Sequence, residues 1–535
     1  VLAGLLLAGR RRGWSSGELG LIGLLGLGMI AGLWLTQSKG AFGAAVLGIG
    51  AIGLGGVLPR RGPGVLRPAA RFAPAVAILA VPAAVAARGM LLPESFAGEL
   101  SLLFRWQYAQ AASEIIANQP WLGVGPDGFQ AAYMLARPDR SPEEVASAHN
   151  VLLTWMTTLG VAGLAWIGLL GAGAGGLGRL PRQPAGHAAP AAGGGTGLPL
   201  VLSAAILVSA LPMLAERPSL DAVDGVLRLL GAGLGAVIAW LVHAGLADDG
   251  DDGGVDRVWL ERGLAAAATV VLAHAMIEIT FTQGSSVGWM ALFIAAVVAP
   301  ALPDSPRRRP DALAAGLAPA LAMVLLVWQV LPALRQQRTV VHAAEPLWAL
   351  ATRGLQQGTV DRDRLHTARR TAGAALLDAY DTWPRDPAVL LAASEQLEQA
   401  ARLTDREAAA ALTADAAATA QRAVDEHDVF EGLVLAILYE QRLWRLTQDV
   451  DHLDRAIRLA REAARRDPAG VAPYRRLGEL LWERGETIAA SEAYATALAH
   501  SAKFELDPLK QLPAADRARL EARIAEVKAA VGDAE

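Results

Sequence analysis

Apolar runs of membrane-crossing length recur through the first 335 residues, and no other feature restricts the fold of this chain as strongly. About nine of them, each of roughly 16 to 23 residues, suit a bilayer core about 30 Å thick. They run from Leu19 to Leu35, Ala41 to Leu58, Phe72 to Ala87, Asn150 to Ala172, Pro199 to Ala215, Val226 to Leu246, Leu264 to Phe281, Ser286 to Leu302 and Leu313 to Leu334. A hydrophobic fraction of 53% with 56 glycines in 535 residues exceeds the usual share for a soluble domain. The reading is an all-α chain whose residues 1–335 form a polytopic transmembrane domain. Val1 to Gly9 reads as the tail of a further span, so the chain is expected to be truncated at its N-terminus.

Lys and Arg in short loops favour the cytoplasmic side. The clusters at Arg10 to Arg12, Arg60 to Arg71, Arg179 with Arg182, and Arg307 to Arg309 fall on one face of such an arrangement. A long loop at about 88–149 and everything after Leu334 then lie on the opposite, external face. The net charge of -4 gives no reason to expect nucleic acid as a partner. The absence of cysteine excludes disulfides and thiolate chemistry.

The region 336–535 changes character, becoming rich in Ala, Arg, Glu and Leu with helical periodicity. From Ala472 to Leu498, residues Tyr474, Leu477, Gly478, Leu481, Gly485, Ala490, Tyr494 and Ala497 have tetratricopeptide spacing. Ala456, Ala460, Ala463 and Pro468 suit the second helix of a preceding repeat, and helices are also expected near Leu365 to Tyr380 and Ala388 to Leu403. This external α-solenoid reads as a binding module for a peptide or an envelope-assembly protein.

Polar residues in the apolar half are few. Lys39 stands in a turn, Thr36 to Lys39, where an ammonium calls for an anionic partner or merely marks a helix end. Arg105 sits in an amphipathic stretch, Leu102 to Asn118, and its fork of donors suits phosphate oxygens. The turn-rich PWLGVGPDGF follows, with glycines that allow close backbone approach to a ligand. His149 with Asn150 opens an apolar run, in the position of a general base or of an interfacial cap. His274 and Glu278 share one helical face four residues apart.

TQSKGA at Thr36 to Ala41, Arg105 with Trp106 ahead of PWLGVG, His149 with Asn150, and the span holding His274 together resemble the O-antigen ligase and polymerase family of bacterial envelope glycan transferases. The resemblance covers roughly Leu19 to Leu302. It implies a multi-pass inner-membrane enzyme with its active site and C-terminal domain facing the periplasm. The implied donor is a glycan on undecaprenyl diphosphate; the implied acceptor is a glycan, lipid or protein hydroxyl. By this resemblance His149 and Arg105 are catalytic, with no metal or other cofactor. Lys39 and Arg105 bind the donor diphosphate, while Asn150, His274 and Glu278 give support. The family's turn usually carries arginine where Lys39 stands, and its span after the histidine usually carries an acidic residue, shortly before the glycine, where Thr158 stands. Protein O-oligosaccharyl transfer is a second reading; a polytopic transporter, or a membrane-anchored repeat scaffold, is a third of another class.

Overall fold

The computed structural model describes Leu6, Arg10, Gly50 and residues 14–35, 39–47, 73–93, 100–125, 128–168, 266–277, 335–350 and 361–532, apart from isolated positions within these ranges. All regular structure among them is helical. The chain forms two compact units: residues Val1–Phe129 with Val145–Arg309, and residues Gln130–Glu144 with Pro310–Glu535.

In the first unit, α1 spans Ser16–Leu35, α2 Ala73–Leu91 and α3 Leu100–Asn118. Helix α4, Phe129–Ala136, belongs from Gln130 on to the second unit; α5, Val151–Leu159, is again in the first and ends in a 3-10 turn, Gly160–Ala162. Helix α2 packs on α3 where Gly89 lies under the Trp106 indole, which a Cβ would meet at 2.0 Å. Large apolar side chains of α1, including Leu24, Leu27, Ile30, Trp34 and Leu35, are exposed.

The transmembrane expectation is corrected here. Among the described residues, no helix is long and apolar enough to cross a membrane. That finding overturns the polytopic fold, the multi-pass inner-membrane location and the membrane-embedded transfer reaction read from the hydropathy pattern. Local physical reasons are visible. The expected continuous run from Asn150 to Ala172 breaks after nine residues, at Gly160 with φ 57°. Helix α2 carries Pro82 inside and closes on Arg88, a buried cation that donates to the Pro93 carbonyl at 3.3 Å. Six of the twenty residues of α1 are glycine, which adds backbone but no apolar side chain. The expected spans from Pro199 to Ala215, Val226 to Leu246, Ser286 to Leu302 and Leu313 to Leu334 lie outside the described residues.

In the second unit eight helices stack in chain order: α6 Arg362–Thr382, α7 Pro387–Ala401, α8 Arg406–His427, α9 Phe430–Thr447, α10 Val450–Arg466, α11 Val471–Arg484, α12 Thr487–Lys503 and α13 Ala514–Gly532. Each packs on the next, as in a solenoid. Asp386, Asp405 and Asp449 cap α7, α8 and α10 by accepting from free backbone N–H groups, each cap contributing about 1 kcal/mol. Small residues set the helix spacing: Ala456, Ala460, Ala490 and Ala497 are fully buried. Gly478 admits the Tyr494 ring, which a Cβ would meet at 2.5 Å. The buried Tyr494 hydroxyl accepts from Arg523, whose guanidinium also lies over Trp482. Gly478, Leu481, Ala490, Tyr494 and Ala497 lie at the helix crossings, Gly485 closes α11 at φ 87°, and the array is solenoid-like.

Candidate functional site

His149 is placed by the start of α5. Asn150 is its N-cap, its side-chain oxygen accepting from the N–H groups of Leu152 and Leu153 at 3.0 and 3.1 Å. The preceding residue cannot be helical, and His149 adopts φ 48°, a left-handed conformation uncommon outside glycine. Its N–H donates to Ser147 Oγ at 3.3 Å, and its half-buried ring faces Tyr108 of α3 with centroids 5.4 Å apart. The imidazole is thus held from two sides, by a strained backbone and an aromatic wall.

A second segment closes on this one. The Asn150 amide donates to the Met276 carbonyl at 3.0 Å, and Arg105 Nε donates to the next carbonyl, Ile277, at 2.7 Å. Those carbonyls are exposed to side-chain donors because the helical run holding His274 ends there in a turn, where last-turn carbonyls lack helical partners. Gly40 comes up to the same point, since a Cβ there would lie 3.6 Å from Ile277 Cγ2. Lys39, Arg105, Asn150 and the His274 turn are therefore brought into one neighbourhood of the first unit. Lys39 is exposed and His274 half-buried, while Glu278 lies outside the described residues.

Arg105 is more committed than its sequence suggests. Besides Ile277, it donates through Nη1 to the Ser101 carbonyl at 3.1 Å and to Ser101 Oγ. Both Nε and Nη1 are tied to protein oxygens, so its first visible task is to fasten α3 to the 276–277 turn.

The glycine-rich loop has a partner too, and it is protein. Val124 and Gly125 donate to the carbonyls of Thr157 and Thr158 at 2.8 and 3.1 Å, and Val161 donates to Trp121 O at 3.2 Å. Gly123, at φ 66°, leaves no room for a Cβ, which would stand 2.4 Å from Thr157 O; at Gly160 it would stand 2.5 Å from Trp121 O. These glycines permit backbone to meet backbone, seating the loop on the end of α5. Thr158 is buried and donates to Thr154 O at 2.7 Å within its own helix.

Sequence reasoning missed Tyr108 and the two carbonyls at 276 and 277. Tyr108 lies three residues beyond Arg105, on the buried face of α3, so the helical period held its signal. A backbone carbonyl carries no such mark. No cluster of three or more His, Cys, Asp or Glu side chains with metal-binding geometry occurs among the described residues.

The family model of O-antigen ligase matches residues 19–168, which include Lys39, Arg105, His149 and Asn150. No curated protein and no solved structure matches the chain. The matched part is well under half of the chain, and what it carries is a similarity in that segment to a glycan-transfer ligase family.

Proposed function

We propose that the neighbourhood of His149 is a metal-independent glycan-transfer centre, acting on a donor whose leaving group is a polyprenyl diphosphate. The observation that carries the reading is the strained, Tyr108-backed placement of His149 inside the ligase-like segment. A backbone conformation that costs about 1 kcal/mol or more persists where surrounding contacts impose it, and such strain gathers at functional sites.

In the proposed step, His149 accepts the proton of an acceptor hydroxyl as its oxygen attacks the anomeric carbon. The bond from that carbon to the diphosphate oxygen breaks, and the lipid diphosphate leaves with the electron pair. The proton held by the imidazole then passes to solvent or to the departing diphosphate. Arg105 supplies positive field near the leaving group while its other bonds fasten the shell, and Lys39 adds a second cation from the neighbouring turn. Asn150 and the His274 turn keep the entry to α5 in register. Nothing in this chemistry requires the centre to sit in a membrane-spanning domain. For the array, the crossings built from Gly478, Tyr494 and the buried alanines support a tetratricopeptide-type repeat.

The test is purified full-length chain with an undecaprenyl-diphosphate-linked oligosaccharide and a panel of glycan, lipid and peptide acceptors, following release of the lipid diphosphate. Release that depends on His149 and on an acceptor is expected. Donor turnover unaffected by His149→Gln would remove the base from the proposal.

A further inference from the structure

Fifteen residues of the ligase-like segment, Gln130–Glu144, belong to the same compact unit as the helical array. What holds them there is a buried ion pair: Arg137 Nη2 donates to Asp467 Oδ1 at 2.6 Å, with side chains only 2% and 3% exposed. Arg137 also donates through Nη1 to the carbonyls of Ser141 and Glu143 at 3.4 and 3.2 Å, so one guanidinium gathers the loop and fastens it. Tyr133 and Ser141, both fully buried, share a hydroxyl bond of 2.8 Å. At the rim, Lys503 donates to Asp139 at 2.6 Å.

On the array side the site is built. Asp467 closes α10 at the start of the turn into α11, and its other carboxylate oxygen occupies the space beside Gly470, where a Cβ would stand 1.9 Å away. Only glycine leaves that oxygen its place. Burying two charges costs several kcal/mol before their attraction is counted, and the best-attested return on such a pair is registry. The registry in question concerns a loop that ends at Glu144, five positions before His149.

We propose that Asp467 is a positioning residue for His149: the array binds a loop of its own chain through Arg137 and so fixes one end of the stretch that carries the histidine. The occupant of the α10–α12 surface at this point is the chain itself, in place of a separate envelope protein. The inference rests on the reading of His149 as the reacting base, but its test needs no donor.

The full chain is compared as wild type, Asp467→Asn, the swap Arg137→Asp with Asp467→Arg, and Lys503→Ala. Two quantities are measured by mass spectrometry: hydrogen exchange over 130–150, and the rate of His149 carbethoxylation by diethyl pyrocarbonate. Asp467→Asn should speed exchange in 130–144 and in 145–150, and raise His149 modification several-fold. The swap should reverse both effects, and Lys503→Ala, which removes only the exposed pair, should leave 145–150 and His149 near wild type. If 130–144 loosens while 145–150 and His149 stay unchanged, the pair ties a loop without positioning the histidine and the proposal fails. No change in either region overturns it as well. Should Asp467→Asn fail to fold, Arg137→Lys keeps the charge, loses the fork, and must give the same pattern at smaller amplitude. A transfer assay of His149→Gln separately judges the reading of the histidine, so the two failures are distinguishable.

Discussion

The ligase-like unit and the helical array solve the same problem, fixing helices against one another, with different materials. In the array, neighbours in sequence are neighbours in space: α6 packs on α7, α7 on α8, and each crossing is made by alanine, glycine and an aromatic at helical spacing. Around His149 the ties end on backbone carbonyls far along the chain from their donors, Arg105 Nε to Ile277 O, the Asn150 amide to Met276 O and Val124 N–H to Thr157 O. Side-chain pattern therefore specifies the array, and carbonyl geometry specifies the site. Substitutions should separate the two kinds of construction.

The largest effect is expected at the exception within the array, its long-range buried pair. Asp467→Ala leaves Arg137 buried with a charge it cannot shed, and should cost about 3–5 kcal/mol in local stability measured by hydrogen exchange. Arg137→Met should cost less, because an unpaired Asp467 can take up a proton. Burial already raises the Asp467 carboxyl above its ordinary value, against the opposing pull of Arg137. A carboxyl raised in the folded state leaves stability intact below its unfolded value and loses it as pH climbs through the folded one. The Arg137→Met deficit should accordingly shrink as pH falls from 7 towards about 4. A pH-independent deficit would mean the carboxylate finds another partner.

Next comes Gly160→Ala. A side chain at φ 57° against Trp121 backbone should cost about 2–3 kcal/mol and release the 121–125 loop, seen as faster exchange at Val124 and Gly125. If exchange there stayed slow, the seat would not depend on backbone contact.

The same contrast explains what could be read from the sequence. The array's packing residues were legible because Ala460, Leu481 and Tyr494 recur at a period that has one physical meaning on a helix. His149, Lys39 and Asn150 stood out as polar residues at the ends of apolar runs and Arg105 as a cation on an amphipathic stretch, and the structure brings their segments together. Their partners were not legible, because the carbonyls of Met276 and Ile277 have no residue type to announce them. Apolar content also misled: run length from Asn150 to Ala172 gives no warning that Gly160 enters the left-handed region and stops the helix. Arg137 and Asp467 stand 330 positions apart and each looks like an ordinary surface charge until the fold pairs them.

Smaller effects should follow at the array's caps and rim. Asp405→Ala removes one N-cap bond, to Ala408 N–H, and should cost about 1 kcal/mol at the start of α8. Arg465→Ala, which breaks an exposed pair with Glu462, should change stability by less than about 0.5 kcal/mol, and the change should vanish in high salt. A large cost at Arg465 would show that surface pairs, in addition to the alanine crossings, hold the array.

The most direct measurement is donor turnover by His149→Gln, with circular dichroism to confirm folding. If His149 is the base of a glycan-transfer centre, release of lipid diphosphate should fall by about a hundredfold or more while donor binding stays within a few-fold. Turnover within about twofold of wild type would contradict the account, leaving His149 as a strained helix-entry residue packed on Tyr108.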